Sequence, residues 1–99
     1  MVEHLVLFKL KLGIVDEEYV TIINLFQELK GIIPGLLEVS IGVNITEEIQ
    51  YKHNNTLGMR MQFESHDQLR DYLLHPLHLK VAEYVLALVD DVSVCDYSI

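Results

Sequence analysis

The segment Asp71-Tyr72-Leu73-Leu74-His75-Pro76-Leu77-His78 gathers a phenol and two imidazoles around a proline, residue types that move protons near neutral pH. Tyr72 and His75 are three residues apart and share a helical face. Pro76 lacks an N–H and disfavours helical geometry at His75, so one helix is expected to end there and another to begin. With Pro76 as the first residue of the new helix, His78 falls in its first turn, where unpaired N–H groups and the helix dipole disfavour the imidazolium. A neutral histidine with a free lone pair can act as a general base. The same residues also fit a structural role, with Tyr72 in the core, its hydroxyl at a wet edge, and His75 capping the second helix. Residue type and spacing leave both readings open. His75-x-x-His78 is also a metal-pair spacing, but no cysteine or carboxylate group completes a zinc set, so no metal site is expected.

Elements on either side must position this segment. Residues 2 to 12 read as a strand, with His4, Val6, Phe8 and Leu10 alternating against Leu5, Leu7, Lys9 and Lys11, and apolar side chains on both faces in the middle. Asp16 is the expected N-cap of a helix, with Glu17 and Glu18 in its first turn and Val15 and Val20 at the spacing of a hydrophobic staple. Tyr19, Ile22, Ile23, Phe26, Leu29 and Ile33 carry the helical period as far as Pro34-Gly35. Leu36 to Val43 reads as a second strand, and 44 to 55 as a polar loop with acidic turns that resembles no phosphate-binding glycine loop. Thr56 to Glu64 alternates as a strand with one apolar face. Ser65-x-x-Gln68 is a capping-box pattern opening the helix that carries Tyr72. Leu77, Val81, Tyr84, Val85 and Leu88 mark the helix after Pro76, and Val92 to Tyr97 the final strand.

The resulting order, β-α-β-β-α-β with the second helix broken at Pro76, predicts an α+β, ferredoxin-like sandwich: an antiparallel sheet with its helices on one face. Leu5 and Leu7 then lie on the face the helices leave open, and an exposed apolar patch of that kind marks an interface. A C2 homodimer with two sheets packed face to face, a dimeric α/β barrel, would bury it.

Composition narrows the function. Ninety-nine residues, 51% of them hydrophobic, make one domain over 1–99. The net charge of −8, with seven unclustered basic residues, argues against nucleic acid and against anionic membrane surfaces. The start, with Glu3 ahead of a short apolar run ended by Lys9, fits neither a signal peptide nor a membrane span. A lone cysteine, Cys95, cannot form an internal disulfide, and a cytoplasmic location is expected.

Five stretches together carry a family resemblance: His4-Leu5-Val6-Leu7-Phe8-Lys9-Leu10-Lys11, the Ile32-Ile33-Pro34-Gly35 bend, Phe63-Glu64-Ser65, the Asp71 to His78 segment and the closing Asp96-Tyr97. Over nearly its whole length the chain resembles the stress-responsive α/β-barrel domain family, most specifically in Tyr-x-x-His-Pro-x-His. The resemblance implies a ferredoxin-like homodimer. It also implies a function within a range running from stress-associated proteins without a clear reaction to a polyketide cyclase that needs no cofactor. By the same resemblance His78 matches the cyclase's general base, Tyr72 the phenol that supports it and His4 a pocket histidine. Val6 and Phe8 share the His4 strand face, and Phe26 and His75 complete the implied binding residues. Phe26 stands where the cyclase has a further tyrosine, and Leu57 follows Thr56 where many members carry histidine, so a less polar pocket and a different substrate are implied. Two functions follow: a cofactor-independent lyase or cyclase on a small β-carbonyl compound, or a non-catalytic, stress-associated or ligand-binding dimer. A third, a dimeric ferredoxin-like monooxygenase that uses no cofactor, shares the architecture but lacks support in this signature.

Overall fold

Alternation in the first strand decides the layering. In the computed structural model, which describes all 99 residues, β1 (Val2–Leu10) turns Val2, His4, Val6, Phe8 and Leu10 to one face, all buried, and Leu5, Leu7 and Lys9 to the other. It pairs antiparallel with β3 (Leu57–Phe63) on one side and β4 (Val89–Ser98) on the other, while β2 (Leu36–Val43) extends the sheet beyond β3, in the order β2-β3-β1-β4. Three helices, α1 (Asp16–Gln27), α3 (His66–Leu74) and α4 (Pro76–Leu86), cover the His4–Phe8 face, and a short α2 (Ile49–Lys52) interrupts the β2–β3 connection. The architecture is the ferredoxin-like one expected from the element order.

One contiguous core fills the space between helices and sheet, from Ile22 and Phe26 of α1 through Leu57, Met59, Met61 and Phe63 of β3 to Leu69, Tyr72, Val81 and Val85 of the later helices. The open face is more polar than Leu5 and Leu7 alone suggest. Glu3 is buried there, its Oε1 accepting from Arg60 at 2.8 Å and Gln62 at 3.3 Å, and its Oε2 has no partner. Leu7 remains 44% exposed on that face.

Several boundaries differ from expectation for local reasons. β1 stops at Leu10, where a register irregularity against β4 ends regular pairing, and Lys11 donates instead to the Leu88 carbonyl. Val15, not Asp16, is the N-cap of α1, with no side-chain cap bond, and Val15 and Val20 each stay more than half exposed, so no buried staple forms. The helix closes at Gln27, six residues short of Ile33. Tight turns follow in which Leu29 donates to Phe26 and Ile32 to Leu29, and Gly31 takes a positive φ of 89°. Leu29 and Ile33 are still buried, so the helical period there reported burial and not helix. β4 begins at Val89, ahead of the expected Val92.

Gly35 fixes the approach of α3. Its φ is +79°, a conformation L side chains rarely adopt, and a Cβ there would lie 2.0 Å from Oε1 of Gln68, so a substitution strains the backbone and displaces the Gln68 amide. Ser65 caps that helix by accepting from the Gln68 N–H, as its pattern predicts.

Candidate functional site

One helix break and one strand pairing build the site. His75 has the extended backbone of a residue before proline (φ −69°, ψ 137°), and Pro76 opens α4 at a position where a missing N–H costs nothing. His75 Nδ1 accepts from the Leu77 N–H at 3.1 Å, so this side chain is the cap of α4, and it does not line the cavity described below. His78 follows in the first turn. Its Nδ1 lies 3.1 Å from the Leu73 carbonyl, one of those α3 leaves without an intrahelical partner. A carbonyl only accepts, so Nδ1 carries the proton, and Nε2 of neutral His78 holds the lone pair. Burial lowers the His78 pKa from its ordinary value; the Leu73 carbonyl opposes the shift and positive charge on His4 adds to it. The neutral, basic form is thereby favoured.

Tyr72, on the inward face of α3, is 1% exposed. Its ring sits 4.5 Å from that of His78, 5.2 Å from Phe63 and 6.3 Å from His4, centroid to centroid. Burial raises the phenol's pKa, and no hydrogen bond or charge within the chain contributes to that shift. Tyr72 therefore stays an O–H donor without a protein acceptor.

His4 lies across from Asp96 in the β1–β4 register, with its Nδ1 2.5 Å from Asp96 Oδ1. The sequence pattern gave no sign of this pair, because the partners are 92 residues apart and Asp96 entered only within the Asp96-Tyr97 stretch. An antiparallel β1–β4 pairing worked out residue by residue would have placed them side by side.

These groups converge on a cavity of about 280 Å³ between sheet and helices. His4, Tyr72 and His78 form its polar end. Val6, Val92 and Val94 continue its floor, and Phe8 and Phe26, with ring centroids 5.6 Å apart, close the apolar end. His4 and Phe8 are four residues apart on β1, so the two ends are separated by about 13 Å. Tyr84 lines a different groove, between α1 and α4, and does not fill this one. Of the anticipated residues, His4, Val6, Phe8, Phe26, Tyr72 and His78 share one wall system, whereas His75 does not join them. No group of three or more His, Cys, Asp or Glu side chains is arranged to hold a metal ion. No helix is long and apolar enough to cross a membrane.

Comparison with known proteins places this geometry among relatives. The family model described as Stress responsive A/B Barrel Domain matches residues 2–99. Olivetolic acid cyclase of Cannabis sativa is 25% identical over 97 residues, covering 98% of this chain and 95% of the cyclase. A crystal structure of an Arabidopsis thaliana protein superposes with a TM-score of 0.92 at 26% identity, covering 100% of this chain and 95% of that one. A structure from Jannaschia sp., described as a dimeric ferredoxin-like protein of unknown function, matches with a TM-score of 0.86 at 22% identity over 99% and 98% of the two chains.

Proposed function

The chain belongs to the stress-responsive A/B barrel domain family, and we propose that it is a homodimeric lyase or cyclase that acts without a cofactor on a small, partly apolar β-carbonyl compound. The observation that carries this reading is the cavity itself, with the Tyr72 hydroxyl and His78 Nε2 unpaired at its polar end and an apolar floor leading away from them. His78 Nε2 removes a proton from the carbon beside the carbonyl, and the Tyr72 O–H donates a hydrogen bond to the oxygen as enolate charge develops. The 25% identity to olivetolic acid cyclase over nearly the whole chain supports the reaction class. Phe8 and Phe26 at the far end, with Met59 beside Val6, favour a substrate with a short apolar tail.

Dimerisation uses the open sheet face. Leu7, 44% exposed beside Leu5 on the face without helices, supports that surface, as does the dimeric description of the Jannaschia neighbour. A single, exposed and unpaired cysteine, Cys95, suits the cytoplasm.

The test is hydrogen–deuterium exchange at the α-carbon of 2,4-octanedione in D2O, followed by proton NMR. The parent should accelerate exchange over buffer, and His78→Ala should lower the enzymatic rate by about a hundredfold or more. Saturable binding of the dione without any acceleration would replace the enzyme with the ligand-binding dimer.

A further inference from the structure

We infer that His4, held by Asp96, is a second proton carrier of this cavity, delivering a proton to the carbonyl oxygen while His78 takes one from the neighbouring carbon. The inference rests on the proposed reading of the site as one that forms an enol, and it gives His4 a role beyond lining the pocket and brings in Asp96 from outside the lining.

His4 is 5% exposed, yet it does not have the bonding of a core histidine. Nδ1 is committed to Asp96 at 2.5 Å, and Nε2 has no acceptor or donor within the chain although it belongs to the cavity wall. A carboxylate cannot donate, so the proton between them belongs to Nδ1 and the cavity is offered Nε2. In hydrolase triads a carboxylate so placed fixes the ring's tautomer and orientation and stabilises the imidazolium as it forms. Asp96 stands on the edge strand β4 with its side chain 35% exposed, which connects the pair to solvent for replacement of the proton.

The titratable groups facing His4 are Asp96 from β4, Tyr72 from α3 and His78 from α4. Tyr72 stands between the two imidazoles, at 6.3 Å from His4 and 4.5 Å from His78. A carboxylate at His4 Nδ1 stabilises positive charge on that ring, whereas His78 Nδ1 meets only the Leu73 carbonyl, so the placement of Asp96 assigns the acid role to His4 and the base role to His78. Two groups of one type with environments that separate their protonation are the signature of an acid–base pair.

The step balances without a co-reactant. The C–H bond breaks as its proton passes to His78 Nε2, and its electron pair becomes the C=C bond. The carbonyl π pair forms an O–H bond to the proton leaving His4 Nε2. The products are a neutral enol, protonated His78 and neutral His4. Tyr72 hydrogen-bonds the same oxygen throughout.

The experiment measures 2,4-octanedione exchange against pH for the parent, His78→Ala, His4→Gln and Asp96→Asn, with circular dichroism confirming the fold. Glutamine can still donate to Asp96 but cannot carry a proton. The parent's rate should fall at both acid and alkaline pH, and His4→Gln should lose about a hundredfold together with the alkaline limb. Asp96→Asn should lose less, with nitrogen-15 spectra showing that His4 no longer holds its proton at Nδ1. Exchange abolished in His78→Ala but unchanged in His4→Gln, alkaline limb included, would overturn this inference and leave the single-base reading intact. No acceleration by the parent would overturn both.

Discussion

Replacing Tyr72 with phenylalanine separates a hydroxyl kept for a ligand from one that holds the fold. The ring is 1% exposed, packed between Phe63 and His78, and truncating such a side chain to alanine costs about 3–5 kcal/mol. Tyr72→Phe retains that packing and removes only an oxygen that has no protein acceptor and is not among the fully buried unpartnered atoms. A structural hydrogen bond at this place would be worth about 1 kcal/mol, which for a domain of this size is about 4–8 °C in melting temperature. The expected result is a melting temperature within a degree or two (~0.3 kcal/mol) of the parent or slightly above it, since no bond within the protein is lost and a buried polar atom is removed. The exchange rate of 2,4-octanedione should fall at the same time, though less than in His78→Ala. Calorimetry at one fixed protein concentration reads the first quantity, because the proposed dimer would make the transition concentration-dependent. A loss of stability of about 1 kcal/mol or more would show that the hydroxyl bonds within the protein, and would refute its assignment to the ligand.

Three further outcomes follow. Leu7→Glu places a charge on the face assigned to the dimer, where an unpaired buried charge costs several kcal/mol, and sedimentation should show monomer; a parent that sediments as monomer at micromolar concentration defeats the interface. His75→Asn should melt within about 0.5 kcal/mol of the parent, because asparagine can accept from the Leu77 N–H as the imidazole does, whereas a large loss would give His75 more than a capping role. The His78 pKa is lowered from 6.5 by burial, so the unfolded chain binds more protons than the folded one between the two values. Stability from this group is complete above pH 6.5 and is lost as pH falls through the folded value. Urea denaturation should show that acid-side slope in the parent and a shallower one in His78→Gln.

Patterns confined to a few neighbouring residues were legible in the sequence. Alternation in β1 assigned each side chain from His4 to Leu10 to its face, Ser65 and Gln68 marked the α3 cap, and Pro76 fixed both the break and the capping geometry of His75. What depended on contacts between distant residues was not. Leu29 and Ile33 continued the apolar period after the α1 backbone had turned at Gly31, because burial and helix share that spacing. α2 is four residues without an amphipathic repeat, held by its loop and followed by left-handed His53 and Asn54. The Leu73 carbonyl that fixes the His78 tautomer is visible only once the two helices meet at Pro76. Asp96 is brought to His4 by strand register, which no local pattern encodes.

Whether neutral His78 faces a ligand across the cavity is decided by an NMR titration of its imidazole with and without 2,4-octanedione. The imidazole should titrate below 6.5, hold its proton on Nδ1 bonded to the Leu73 carbonyl, and show a dione-induced shift at Nε2 that is absent in Tyr72→Ala. An ordinary solvent-exposed titration with Nε2 undisturbed by the dione would contradict it.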